Sequence, residues 1–165
     1  MRRAVVAVLL LAAACHQSPS AAGHYDAGAR LEQAAVAAGL VVDPASQSIV
    51  GAWARDTDRA CIVPGDGKGD RFGVLIDYGL GQGCAASGTV RRSGDTLDVR
   101  LGEDCRLTAR FDGTRVVFPT EVPPACDRRC TGRASLAALT VERQSESVSE
   151  ALSLRTPGGR PLCAS

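Results

Sequence analysis

From residue 49 onward the chain is written in short apolar runs separated by glycine and aspartate. These runs are 49–54, 60–63, 72–78, 88–92, 96–101, 105–111 and 115–118. Between them stand Gly65-Asp-Gly-Lys-Gly-Asp70, Ser93-Gly94-Asp95, Gly102-Glu-Asp104 and Asp112-Gly113. Runs of that length cannot each be a helix, and turn residues recurring every ~8–12 positions are the mark of an all-β sandwich or barrel. Two runs alternate strictly: Leu97, Val99 and Leu101 against Asp98 and Arg100, and Leu107, Ala109 and Phe111 against Arg106, Thr108 and Arg110. One face of those strands is core and the other is wet. Connections this short favour neighbouring antiparallel strands. The expectation is mainly β: a small antiparallel barrel or sandwich, built as a meander, with one N-terminal helix and disulfide staples.

The helix is expected over 26–39, with Asp26 as N-cap, Leu31, Ala34, Ala35 and Ala38 on one face, and Gly39 closing it. Residues 119–131 read as a stapled loop and 134–143 as a final strand containing Leu136 and Leu139. The stretch 145–155 fits a strand or a helix equally well.

The chain holds seven cysteines. Cys15 stands apart from the others: it follows Arg2-Arg3, an apolar run over 4–11 and Ala12-Ala13-Ala14, which is the layout of an export signal. The stretch Leu10-Leu11-Ala12-Ala13-Ala14-Cys15 resembles the lipobox of bacterial lipoproteins. That resemblance implies cleavage before Cys15 and lipid attachment to it, with His16 pointing to the outer membrane. The apolar run is far shorter than the ~20 residues a membrane helix needs. Residues 1–14 are thus expected to be a signal peptide, 15–25 a lipidated cysteine and flexible tether, and 26–165 a single β-rich domain. The implied location is the cell envelope, on the periplasmic side of the outer membrane.

Setting Cys15 aside leaves an even set: Cys61, Cys84, Cys105, Cys126, Cys130 and Cys163. In an exported chain all six can pair. Local closure favours Cys61–Cys84, Cys105–Cys126 and Cys130–Cys163. Cys126-x-x-x-Cys130 lacks the second pair that a tetrahedral metal site requires, so no metal and no cofactor is expected.

Gly51-Ala52-Trp53 opens the first strand just after a helical segment. It resembles the Gly-x-Trp at the first strand of lipocalin-like barrels, which implies a closed barrel with Trp53 plugging one end.

Composition narrows the chemistry. The two histidines, His16 and His24, both fall in the tether, so Ser-His-Asp, Cys-His and His-ligated zinc sites have no imidazole in the folded part. The formal charge is +1, which argues against a general nucleic-acid binder. Asp66-Gly-Lys-Gly-Asp70 lacks the third acidic ligand and the distal Glu of a calcium loop and places Lys68 at its centre, so it reads as a polar hairpin loop. Gly79-Leu-Gly-Gln-Gly83 lacks the Lys-Ser/Thr of a phosphate loop and reads as a turn. Asp56, Asp58, Asp77, Glu103, Asp104 and Glu121 are the candidates for acid–base work. Arg91, Arg92, Arg128, Arg129 and Arg133 are candidates for an anion-binding patch.

The leading expectation is a non-catalytic envelope lipoprotein, a binding, structural or enzyme-inhibitor-like module. Its partners would be the membrane through the lipid, together with an envelope protein, peptidoglycan or lipopolysaccharide. The alternatives are a carboxylate-based hydrolase of an envelope polymer, marked by an acidic pair in a cleft, and a hydrophobic-ligand binder, marked by an empty barrel.

Overall fold

The computed structural model describes residues 21–41 and 43–163, so Cys15 and the rest of the lipobox lie outside the described residues. The chain divides into two compact units after Val41. In the first, helix α1 spans Ala21–Ala37. It begins five residues earlier than expected, inside the stretch read as tether, and it is not part of the unit that holds the strands. Its C-terminus is as expected. Gly39 takes φ 68°, its amide donates to the Val36 carbonyl, and the Leu40 amide reaches back to the Ala35 carbonyl. These are the two bonds of a Schellman motif. The expected apolar stripe is not buried, for Leu31 is 73% exposed.

The second unit is a closed barrel. Its strands are β1 (Gly51–Arg55), β2 (Asp58–Val63), β3 (Asp70–Asp77), β4 (Gly83–Ser93), β5 (Thr96–Leu101), β6 (Cys105–Phe111), β7 (Arg115–Val117), β8 (Cys130–Thr131) and β9 (Thr140–Ser145). β1 to β7 form an antiparallel meander, β9 pairs with both β7 and β1, and β3 pairs with β4. The ring therefore closes on eight strands and leaves no free edge. β8 lies outside the ring and adds to β4 at Gly83 and Cys84, beyond the reach of β5.

The hairpins follow the turn residues. Ser93 faces Thr96 across Gly94–Asp95. The Asp112 carboxylate accepts from the Thr114 and Arg115 amides and so shapes the β6–β7 turn. Gly51 is required by close approach, since a Cβ there would sit 2.0 Å from the Ser145 carbonyl oxygen.

The interior is filled. Trp53, Phe72, Phe111, Phe118, Ile62, Ile76, Leu97, Leu101 and Leu136 are all less than 2% exposed or close to it. Trp53 and Phe111 meet edge to face, with centroids 5.8 Å apart. Both ends of the barrel are covered. At one end Arg143 lies over the Trp53 ring at 4.3 Å and Arg92 over Phe111 at 4.7 Å. Arg143 donates to the Ser48 and Val50 carbonyls, and Arg92 to those of Gln47 and Pro44, beside a 3-10 turn over Pro44–Ser46. At the other end, residues 118–139 cross the mouth and bury Phe118, Cys126, Ala134, Leu136 and Leu139.

This crossing segment contains the short helix α2 (Pro124–Asp127) and β8. It corrects the expected strand over 134–143: only Thr140–Ser145 is extended, because Leu136 and Leu139 plug the barrel mouth and do not alternate along a ladder. The ambiguous stretch resolves as helix α3 (Val148–Ser153), with the Ser147 hydroxyl accepting from the Glu150 amide at 3.3 Å. Ser147-x-x-Glu150 has capping-box spacing, a sequence signal that strand-like alternation concealed, although only the serine half forms, the Ser147 amide donating to the Ser145 hydroxyl at 3.0 Å.

All six cysteines of this unit are paired, as Cys61–Cys163, Cys84–Cys130 and Cys105–Cys126. Only the last was expected. Cys61 and Cys84 cannot bond because they face opposite sides of the barrel wall. Cys84 belongs to the interior, whereas Cys61 lies in an outer cluster with Ala52, Val63, Ala151, Leu162 and Cys163. α3 and the C-terminal segment cover β1–β3 from outside. That is why 60–63 reads Ala-Cys-Ile-Val without alternation: both faces are buried. Cys130 is committed to β4, where it stands directly opposite Cys84 in the ladder.

Candidate functional site

An up-and-down ring places the β1–β2 turn, the β3–β4 loop and the 118–139 crossing segment at one rim. The β3–β4 loop, residues 78–82, is the most distinctive part of that rim. Three successive residues are left-handed: Gly79 (φ 74°), Leu80 (φ 52°) and Gly81 (φ 75°). Glycine tolerates this region, whereas leucine there costs ~1–2 kcal/mol. Leu80 is also 100% exposed and Tyr78 is 58% exposed. None of the described residues packs over the leucine side chain.

The loop is nevertheless braced on every side. The Tyr78 amide donates to the Gln82 carbonyl and the Gln82 amide to the Gly79 carbonyl, each at 2.9 Å. The Gly79 amide donates to the Asp77 carboxylate at 2.9 Å. From the crossing segment, the Thr131 hydroxyl donates to the Gly81 carbonyl at 2.7 Å and the Arg133 amide to the Gln82 side chain at 3.3 Å. The Cys84–Cys130 bridge locks the two strands that carry these contacts. Strain held in place by this many bonds is a feature of clamps and recognition sites.

Beside the loop lies a recess of about 220 Å³ whose lining includes Asp56, Asp58, Tyr78, Ser135 and Thr140. Asp56 and Ala138, both in its lining, are the two other non-glycine residues with positive φ among the described residues, at 51° and 57°. The Thr57 hydroxyl ties the β1–β2 turn to the Asp77 carbonyl at 2.6 Å. Asp58 is half-buried, and its Oδ1 is buried with no hydrogen-bond partner. Burial pushes its pKa up, the Asp77 backbone amide opposes this, and the charge of Asp56 adds to the rise.

The remaining carboxylates are placed differently. Asp77 caps the loop. Asp104 holds Arg128 and Arg129, and the hydrogen bonds from these two arginines lower its pKa. Glu103 and Glu121 are exposed. No group of three or more His, Cys, Asp or Glu able to hold a metal occurs among the described residues.

The five arginines of the expected patch do not come together. Arg128, Arg129 and Arg133 flank Cys130, opposite Cys84 at the start of β4. Arg91 and Arg92 lie near its end, seven and eight residues on, or ~24–27 Å along an extended strand. Arg92 points inward to Phe111, and Arg91 donates to the Lys68 carbonyl. The 78–82 loop was legible as a turn. Its braced, leucine-tipped form was not, because nothing in Gly-Leu-Gly specifies the bonds from Thr131 and Arg133.

No family model, no curated protein and no solved structure matches this chain. Among the described residues no helix is long and apolar enough to cross a membrane.

Proposed function

We propose that this chain is a cell-envelope lipoprotein, lipidated at Cys15, whose barrel is a non-catalytic recognition module. Its 78–82 loop enters an apolar cleft of an envelope protein in the manner of an enzyme inhibitor. The observation that carries this reading is Leu80: fully exposed, left-handed and held by a braced loop. A preformed loop loses little conformational entropy on binding, and an aliphatic tip beside a tyrosine suits the buried centre of an interface. The filled interior supports surface recognition over a ligand chamber. The eight-stranded ring headed by Gly51-Ala52-Trp53 supports the lipocalin-like resemblance at the level of architecture, which by itself assigns no activity.

Site-specific photocrosslinking in cells tests this reading. A crosslinker at Leu80 is expected to give a discrete protein adduct that the same group at Glu121 does not. No adduct from Leu80, or equal adducts from both positions, overturns it. Intact mass of the protein taken from membranes tests the anchor: acyl chains on Cys15 are expected, and a free Cys15 thiol refutes that part.

A second reading has one observation in its favour. Asp58, with a raised pKa next to Asp56, resembles the acid of a carboxylate hydrolase. The recess is below the ~300 Å³ at which ligand pockets usually begin, so the binding reading is preferred. Release of soluble fragments from peptidoglycan by the wild-type chain, abolished in Asp58→Asn, would reverse that preference.

A further inference from the structure

The outer wall of β3–β6 carries a row of side chains that the fold does not pair. Arg71 faces Thr89, Thr89 faces Arg100, and Arg100 faces Arg106, so one register line crosses four strands. At ~4.8 Å per strand this line is ~14 Å wide. Arg91 lies one row away, opposite Asp98, and its Nε donates to the Lys68 carbonyl at 2.7 Å. Lys68 and Thr89 are shared by two shallow grooves of about 630 and 360 Å³ along this wall. The acidic side chains lining them are Asp66 and Asp98, against the cations Lys68, Arg71, Arg91 and Arg100.

Like charges directly opposite in a sheet destabilise it, yet Arg100 and Arg106 stand opposite each other on a wet face. Among the described residues neither has an ion pair or side-chain hydrogen bond, and the same holds for the side chains of Lys68 and Arg71. Arg110, Arg115, Arg128 and Arg129, by contrast, each hold a carboxylate. Two guanidinium groups one strand apart, both free, match an anion with several oxygens, above all phosphate. The face is open and wider than a single phosphate, which suits an array of headgroups over one soluble ligand.

We propose that the outer wall of β3–β6, centred on the Arg100–Arg106 pair and flanked by Lys68, Arg71 and Arg91, docks the barrel onto the phosphate headgroups of an anionic membrane surface. The choice of a membrane over other phosphate carriers rests on the reading of Cys15 as a lipid attachment site. The site itself involves neither Cys15 nor the 78–82 loop. A lipid together with a basic patch is the two-signal arrangement that holds peripheral proteins at a membrane.

The test is co-sedimentation of the full chain carrying Cys15→Ser, so that no acyl group contributes. The vesicles are phosphatidylcholine alone, and equal parts phosphatidylcholine and phosphatidylglycerol. Binding is expected to favour the anionic vesicles and to weaken with salt. Arg100→Gln/Arg106→Gln is expected to lower that partition by about 25-fold, about fivefold per charge. The control pair Arg128→Gln/Arg133→Gln, with the same change in net charge, is expected to change it less than about threefold. A thermal melt of each variant reports folding. Should the Arg100/Arg106 pair fail to fold, Lys68→Gln/Arg91→Gln is read in its place with the same expectation. Equal partition into both vesicles, equal losses in test and control pairs, or binding to soluble polyphosphate with none to anionic vesicles overturns the proposal.

Discussion

Arg143→Met removes a charge from the end of the barrel while keeping most of the side chain's length. Three losses follow from the structure. The guanidinium lies 4.3 Å from the centroid of the Trp53 ring, and a partly desolvated cation–π contact contributes ~1–2 kcal/mol. It donates to the Ser48 carbonyl, and a hydrogen bond from a charged group contributes ~1.5–3 kcal/mol. Longer contacts to the Val50 and Gly113 carbonyls, at 3.3 and 3.4 Å, add less. Against these stands the cost of burying a cation that is only 14% exposed; that burial pushes its pKa down, with Glu146 partly opposing. The net expectation is a loss of about 3 kcal/mol, or a fall in Tm of about 10 °C for a domain of this size. The assay is urea unfolding with disulfides intact, followed by the fluorescence of Trp53, the single tryptophan of the chain. Arg143→Lys keeps the charge over the ring but cannot reach several carbonyls at once, so it should recover about 1 kcal/mol of the loss. A Met variant within ~0.5 kcal/mol of the parent, or a Lys variant no better than Met, refutes the account of the two arginines as the structural seal of this end.

Four further outcomes are expected. Replacing Cys61 and Cys163 by Ala should cost more than replacing Cys105 and Cys126, because the closed loops span 102 and 21 residues; chain entropy gives about 4.7 and 3.3 kcal/mol, and denaturant titration reads the order. Asp58→Asn should raise Tm at neutral pH. An acid with a raised folded pKa destabilises once ionised, so the gain should appear as pH rises from the unfolded value, 3.8, through the folded one and vanish below 3.8; melts across this range check it. Leu80→Gly should leave stability within ~1 kcal/mol of the parent, since relief of left-handed strain offsets added freedom in the unfolded chain, while partner capture next to the loop is lost. Gly73→Ala should displace the C-terminal segment, because its Cβ would meet the Leu162 carbonyl oxygen at 2.2 Å; faster proteolysis after Arg155 or Arg160 reports this.

Much of the barrel was legible in local pattern. β5 and β6 have the expected bounds, since strict alternation and flanking turn residues are properties of a few adjacent residues. β4 was underestimated at its start, where Gly83, Cys84 and Ala85 pair with β3 and with the crossing segment; a strand supported from both sides needs no amphipathic signature of its own. Residues 119–131 form the expected stapled loop, but 134–139 were misread as strand because Leu136 and Leu139 satisfy a contact across the barrel mouth, and periodicity along the chain carries no trace of that. The candidate site was the least legible part. Leu80 looked like an ordinary turn residue until Thr131 and Arg133 were brought to it from some fifty residues away.

By itself the sequence determined the fold class, the meander of hairpins, the set of six cysteines available to pair and the absence of imidazole from the strand-bearing part. All of these depend on residue type and short-range order. Tertiary structure alone decided which cysteines meet, because pairing depends on which side of the wall each one faces. It decided that the barrel is sealed at both ends by residues 118–139 and by Arg92 and Arg143. It also decided that Leu80 is held out in a strained turn and that Arg100 faces Arg106 with no ion pair to either among the described residues. Each of these is a relation between residues that only closure of the ring brings together, and loop closure, strand register and face are not written in any local stretch of chain.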